Sequence, residues 1–281
     1  SKGYTSIVGM PKLPMYSTMV MLNPEKEYQI SYNVKSSRIL NDIKVIPNQH
    51  IVNGLEKEEI DNVDHLFYSS ENIYPYVSVS LSEPMVMRDI VVSNVIVVPF
   101  RYNPSIEQLE VFESIEIQIE EVGDREDIRV RDLPRSRVFE NIYKNTIINY
   151  EQNSRDDEYQ NPAILYICGG ASCNYLDNLL EWRHEQGYIV YTATLGETGS
   201  SASSIKNYIQ NAYYNWENPP EYVALVGDVG GSYSLPTFYD GFGHNSYGND
   251  CEGDLPYSQL DGDDFIPEVI IGRISVRSQS E

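Results

Sequence analysis

The carboxylates between residues 221 and 276 hold most of the chemistry this sequence offers. In EYVALVGDVGG an apolar run, Tyr222 to Val226, empties into Gly227 and Asp228. In DLPYSQLDGDDFIPEVIIGRISV the acids Asp261, Asp263 and Asp264 precede a second apolar run, Val269 to Val276. Alternate acids on a turn are how proteins gather oxygen donors for Ca²⁺, which takes about six to eight of them. The D-G-D-D turn matches only the opening of an EF-hand loop, lacking its later glycine and closing glutamate, and a solvated acidic turn has the same pattern. Asp228, at the end of a neighbouring apolar run, is a further candidate ligand.

The other reactive residue types are sparse. His50, His65, His184 and His244 include no metal-ligand spacing such as H-x-x-x-H. His244 and Cys251 share the loop DGFGHNSYGNDCEGD, but a Gly-rich loop is a poor scaffold for a preorganised Cys-His dyad. Cys168 sits in an apolar run and reads as a buried structural thiol, while a pairing of Cys173 with Cys251 is left open by spacing. Gly169-Gly170 has neither the lysine of a P-loop nor G-x-G-x-x-G spacing, so it reads as a tight turn after a strand.

A formal net charge of −22 argues against a nucleic acid partner, which needs a basic face. It suits an extracellular or periplasmic protein, or one that binds divalent cations. No apolar stretch reaches the roughly 20 residues that span a bilayer, and SKGYTSIVGM lacks the charged-then-apolar pattern of a signal peptide.

The elements that must position these residues differ between the two halves. Residues 1–123 read as short strands rich in Val, Ile and Tyr (MYSTMVML, YQISYNV, DIKVIPN, YPYVSVSL, RDIVVSNVIVVPFRY, LEVFESIEIQIEEV), the pattern of an antiparallel β-sandwich. Residues 124–161 read as an exposed, charged linker with a short helix at FENIYKNTIINY. Residues 162–281 follow β-α-β grammar: strand AILYICGG, helix NYLDNLLEWRHEQG with Leu176, Leu179, Leu180 and Trp182 near one face, strand YIVYTATL, helix SSASSIKNYIQNAYYNW, strand EYVALVGD. That alternation predicts a doubly wound, mostly parallel α/β sheet whose sites lie at the strand ends.

The string VALVGD, then Asp254-x-x-Tyr257-Ser258, then LDGDDFIPEVIIGRIS resembles the first half of the catalytic domain of the gingipains, secreted cysteine endopeptidases with a caspase-like α/β fold. GMPKLPMYSTMVM and VVPFRYNPSIEQLEVFESIEIQIEE resemble the propeptide domain of the same zymogens. The resemblance implies a multidomain chain, a β-sandwich propeptide followed by a caspase-like domain incomplete at the C-terminus. It implies a secreted or cell-surface enzyme acting on proteins or peptides, partnered with the remainder of its own catalytic domain. The family's histidine and cysteine lie downstream of the I-G-R strand, so no catalytic residue and no organic cofactor is assigned to this sequence, and His244 and Cys251 do not match the dyad. The resemblance further implies a structural Ca²⁺ held by Asp228, Asp261 and Asp263, although Gly230 stands where the family can have another acid. Shedding of the propeptide is expected in the connection, with Arg135 and Arg137 as candidate processing sites. Competing readings are a non-catalytic calcium-dependent binding or adhesion module and a degenerate peptidase homologue.

Overall fold

A computed structural model of the chain describes residues 2–49, 62–128, 130–151, 159–240, 251–262 and 264–281. They form two compact units, and the division does not follow the order of the chain. The first comprises residues 1–84, 92–128 and 146–149; the second comprises 85–91, 129–145 and 150–281. Among the described residues no helix is long and apolar enough to cross a membrane.

The first unit is built from strands β1 (Lys2–Tyr4), β2 (Pro14–Leu22) and β3 (Lys26–Leu40), the one-turn helix α1 (His65–Tyr68), and strands β4 (Val79–Leu81), β6 (Ile90–Val97, of which this unit holds Val92 onward), β7 (Phe100–Asn103) and β8 (Gln108–Asp124); β5 (Met85–Met87), between β4 and β6 in the chain, belongs to the second unit. One sheet has the order β1-β2-β6-β4, with β5 on β6, and the other has the order β3-β8-β7. β3 and β8 are much longer than the patterning suggests, at 15 and 17 residues. Their length follows from sustained alternation: Ile30 faces Ile119, Tyr32 faces Ile117 and Val34 faces Ile115, so one side of the ribbon stays apolar. DIKVIPN, expected as a strand, makes only isolated bridges at Pro47 and Asn48.

Within the stretch expected as a linker, the described residues include the short helix expected at FENIYKNTIINY. This is α2 (Arg137–Thr146), whose Phe139, Glu140 and Tyr143 are buried, and it belongs mostly to the second unit. The reason is amphipathicity: Phe139 and Tyr143 lie four residues apart on one helical face.

The second unit continues with β9 (Ala163–Cys168), α3 (Asp177–Glu185), β10 (Ile189–Thr194), α4 (Leu195–Thr198), α5 (Ala202–Asn215), β11 (Tyr222–Val226), the small hairpin β12 (Phe238–Asp240) and β13 (Cys251–Gly253), and β14 (Ile270–Ile274). Its four-stranded sheet has the order β10-β9-β11-β14, with every neighbouring pair parallel. The two faces of β9 are both covered. Ile164, Tyr166 and Cys168 meet Leu176, Leu179 and Leu180 around α3, while Leu165 and Ile167 meet Ile205, Ile209, Ala212 and Tyr213 of α5. Helices on opposite faces and an order that reverses between β9 and β11 make a doubly wound sheet with its switch point there. Trp182, expected on the inner face of α3, is 49% exposed. Ser201 caps α5 by accepting from Ser204 N, as its sequence implies.

Candidate active-site edge

All four parallel strands end at one edge, and that edge is where an α/β sheet of this order binds ligands. Here β9 runs into Gly169-Gly170 and β11 into Gly227-Asp228. The crevice between them is filled by the chain's own residues 232–235. A Cβ on Gly170 would fall on the Ser232 carbonyl oxygen, and one on Gly227 on that of Tyr233. Glycine is required at these positions for close packing of backbone on backbone, which agrees with the tight-turn reading and leaves no room for a phosphate.

Arg273, near the end of β14, organises this edge. Its Nε and Nη2 donate to the two oxygens of Asp254 at 2.7 Å each, Nη1 donates to Gly227 O at 3.0 Å and Leu235 O at 2.9 Å, and Nη2 also reaches Pro236 O at 2.9 Å. Burial works against the guanidinium charge, but the hydrogen bond and charge of Asp254, with Tyr257 and Asp228 adding, together outweigh it and hold the Arg273 pKa above its ordinary value. Tyr257 is fully buried and donates its hydroxyl to Pro236 O at 2.7 Å. The spaced residues V-G-D, D-x-x-Y and I-G-R are thus one bracket around the loop that follows β11. The sequence displays that string but not its mechanical meaning.

The cysteines depart from expectation. Cys168 and Cys173 are joined in a disulfide, so Cys168 is no free thiol and Cys173 does not pair with Cys251. The cause is local: the Gly169-Gly170 turn reverses the chain after β9, and the short 3₁₀ turn Ser172–Tyr175 brings Cys173 back over the strand end. His65 lies on α1 in the first unit and His184 on α3. His50, His244 and the side chain of Cys251 fall outside the described residues, as does Asp263.

The structure does not bring Asp228 and Asp261 together. Asp228 follows the C-terminal end of β11, accepts from Val229 N at 2.8 Å and pairs with Arg277 Nε at 2.6 Å, and that arginine first of all holds its pKa below the usual carboxylate value. Asp261 lies at the opposite edge. The neighbouring Leu260 O accepts from Gln210 and Tyr214 near the end of α5, and Leu260 N and Asp261 N both donate to Glu268, just before β14 begins. The Asp261 carboxylate faces Arg131 at 3.7 Å. The length of β11 separates the two acids by roughly 17 Å at about 3.3 Å per residue, whereas ligands of one Ca²⁺ all lie within about 2.6 Å of the ion. Among the described residues no three His, Cys, Asp or Glu side chains converge as metal ligands would. One ion held jointly by Asp228 and Asp261 does not fit this fold, because the acids are close only along the motif.

Two buried groups at that lower edge were not singled out from sequence. Glu268 is wholly buried; burial pushes its carboxyl up to about 8, against the pull of the Leu260 and Asp261 N–H groups, with Asp264 and Asp261 adding to the rise. Arg88 is also wholly buried. Its signal is present in MVMRDI, where a lone arginine interrupts an apolar run.

Comparison with known sequences gives these features a family. The profile of Propeptide_C25 matches residues 3–156 and that of Peptidase family C25 matches residues 157–281. The chain belongs to peptidase family C25. Gingipain R2 of Porphyromonas gingivalis is 23% identical over 282 residues, spanning 97% of this chain and 36% of that protein. Lys-gingipain of the same organism is 28% identical over 206 residues, spanning 69% of this chain and 11% of that protein. A solved complex of the Porphyromonas gingivalis RgpB pro- and mature domains aligns at 24% identity with a TM-score of 0.45, covering 54% of this chain and 78% of that one. The chain therefore spans about a third of the length of the gingipain R2 relative it matches. Arg135 and Arg137 lie on the propeptide side of the profile boundary, yet both are held in the second unit. Arg135 stacks on Tyr159 and faces Glu140, and Arg137 opens α2 over the same ring. Arg137 begins the packed helix, whereas Arg135 precedes it in an isolated bridge with Tyr159.

Proposed function

We propose that this chain is the propeptide region and the first part of the catalytic domain of a gingipain-like cysteine endopeptidase zymogen, secreted or held at the cell surface. The observation that carries the reading is the pair of adjoining C25 profiles, propeptide then peptidase, running from residue 3 to residue 281. The parallel β10-β9-β11-β14 sheet supports it as the first strands of a caspase-like domain, and the first unit's two sheets support a sandwich-like propeptide. The cysteine and histidine of the dyad are expected from sequence beyond residue 281. The cysteine thiolate attacks the peptide carbonyl, the histidine takes the thiol proton and returns it to the leaving amine, and backbone amides stabilise the oxyanion. The described residues contribute the braced upper edge: Arg273 and Asp254 fix the loop after β11 beside the strands on which such a dyad would stand.

The test is an assay of the full gene product on peptide substrates, with and without iodoacetamide. Thiol-dependent cleavage after maturation supports the reading. A mature product that cleaves no peptide at all, or one indifferent to alkylation, overturns it.

A further inference from the structure

The family boundary at residues 156 and 157 and the folding boundary do not coincide, and the difference centres on a hairpin. Residues 85–91 lie in the propeptide profile, yet they are part of the second unit. The chain leaves the first unit at Pro84 and rejoins it at Val92. Between these points Arg88 takes a left-handed conformation, φ 57°, costly for a residue with a side chain. That turn drives its side chain inward.

The socket that receives Arg88 is made largely of residues on the peptidase side of the boundary. Nη1 donates to Glu268 O at 3.1 Å and to Pro220 O at 3.4 Å, and Nη2 donates to Gln160 Oε1 at 3.1 Å. Pro220 and Glu268 immediately precede β11 and β14, so the arginine caps the N-terminal edge of the sheet. Its guanidinium lies 5.6 Å from the ring of Tyr213, whose hydroxyl returns a hydrogen bond to Arg88 O at 3.0 Å. One residue pair further along the hairpin, Val86 N donates to Asp264 Oδ2 at 2.9 Å. On its other flank the hairpin is held from the propeptide side, by Tyr143 donating to Asp89 and Met87 O.

We propose that hairpin 85–91, with Arg88 as its plug, is a clasp that keeps the propeptide region bound to the peptidase residues once the backbone between the two is cut. This deepens the zymogen reading and rests on it only for where the cut falls. A cut between the profiles breaks one covalent link and none of the bonds above. Arginine suits this position because its planar fork serves three acceptors that lysine cannot reach together. The partner is the chain's own N-terminal piece, recognised by a buried guanidinium at the lower edge of the sheet.

The experiment uses the full-length protein with the site of a sequence-specific protease placed within residues 152–158. After cutting, the two pieces are followed by gel filtration over a dilution series, alongside Arg88→Lys and Asp264→Ala, with circular dichroism of each uncut chain as the folding control. The wild-type pieces are expected to co-elute, and Arg88→Lys to weaken their association about 100-fold. Asp264→Ala, which leaves the arginine in place, is expected to weaken it less, and it decides the matter if Arg88→Lys does not fold uncut. Separation of the wild-type pieces on cutting, or retention as tight as wild type in the folded variants, overturns the clasp. The readout is binding, so an inactive peptidase would sink the functional reading and leave this result standing.

Discussion

Arg273 holds both carboxylate oxygens of Asp254 at 2.7 Å, and the donors left over grip the carbonyls of Gly227, Leu235 and Pro236. The side chains are 12% and 22% exposed, so the pair is mostly out of water and cannot relax into solvent when one member is lost. Arg273→Lys keeps the charge but replaces a planar fork with a point, and it should cost about 3 kcal/mol in urea unfolding of the chain. A loss under about 0.5 kcal/mol, the level of an ordinary surface substitution, would show that the bracket carries no strain-bearing role.

Glu268 predicts a pH dependence with a definite sign. Its folded pKa, about 8, lies above the ordinary 4.5, so the folded protein holds a proton that the unfolded chain releases. The stability linked to that proton is complete below about pH 4.5 and is lost as pH rises through about 8. Glu268→Gln keeps the shape and removes the titration. The melting temperature of wild type should fall relative to Glu268→Gln between pH 5 and 8, by the equivalent of a few kcal/mol. Parallel profiles across that range would mean Glu268 is ionised in the folded state.

Much of the second unit was legible because two periods alternate in its sequence. The strands β9 and β11 are continuous apolar runs, and α5 repeats Ile205, Ile209, Ala212 and Tyr213 at helical spacing. What was not legible is non-local. Nothing in MVMRDI says that Arg88 belongs with Glu268, 180 residues away. The separation of Asp228 from Asp261 was hidden for the same reason in reverse: they are motif neighbours, yet one follows the end of β11 and the other lies by Glu268, just before β14. In residues 124–161 the short helix at FENIYKNTIINY was legible, but not that Phe139 and Tyr143 bury one face of it.

The disulfide gives a prediction that separates the structure from the spacing argument. Peptide mapping without reductant should recover a Cys168–Cys173 link and no link to Cys251. The bridge closes a loop of sequence separation 5, so loop entropy assigns it about 2 kcal/mol. Cys173→Ser should lower stability by about that amount, and reduction of wild type should do the same. A mapped Cys173–Cys251 peptide would refute the arrangement at the end of β9.

Calcium titration tests the separation of the two acids directly. If Asp228 and Asp261 shared an ion, Asp228→Ala and Asp261→Ala would each abolish the same calorimetric heat, because losing either ligand opens the same shell. The structure assigns them different partners, Arg277 for Asp228 and Arg131 for Asp261, each of which already neutralises its carboxylate. The two substitutions should therefore leave any Ca²⁺ heat unchanged, and their effects on unfolding should add within about 0.5 kcal/mol, as for distant sites. Arg277→Ala should mimic Asp228→Ala and not Asp261→Ala. Loss of one common heat in both aspartate variants would restore a joint site and would require the β11 and β14 ends to be arranged otherwise than they are here.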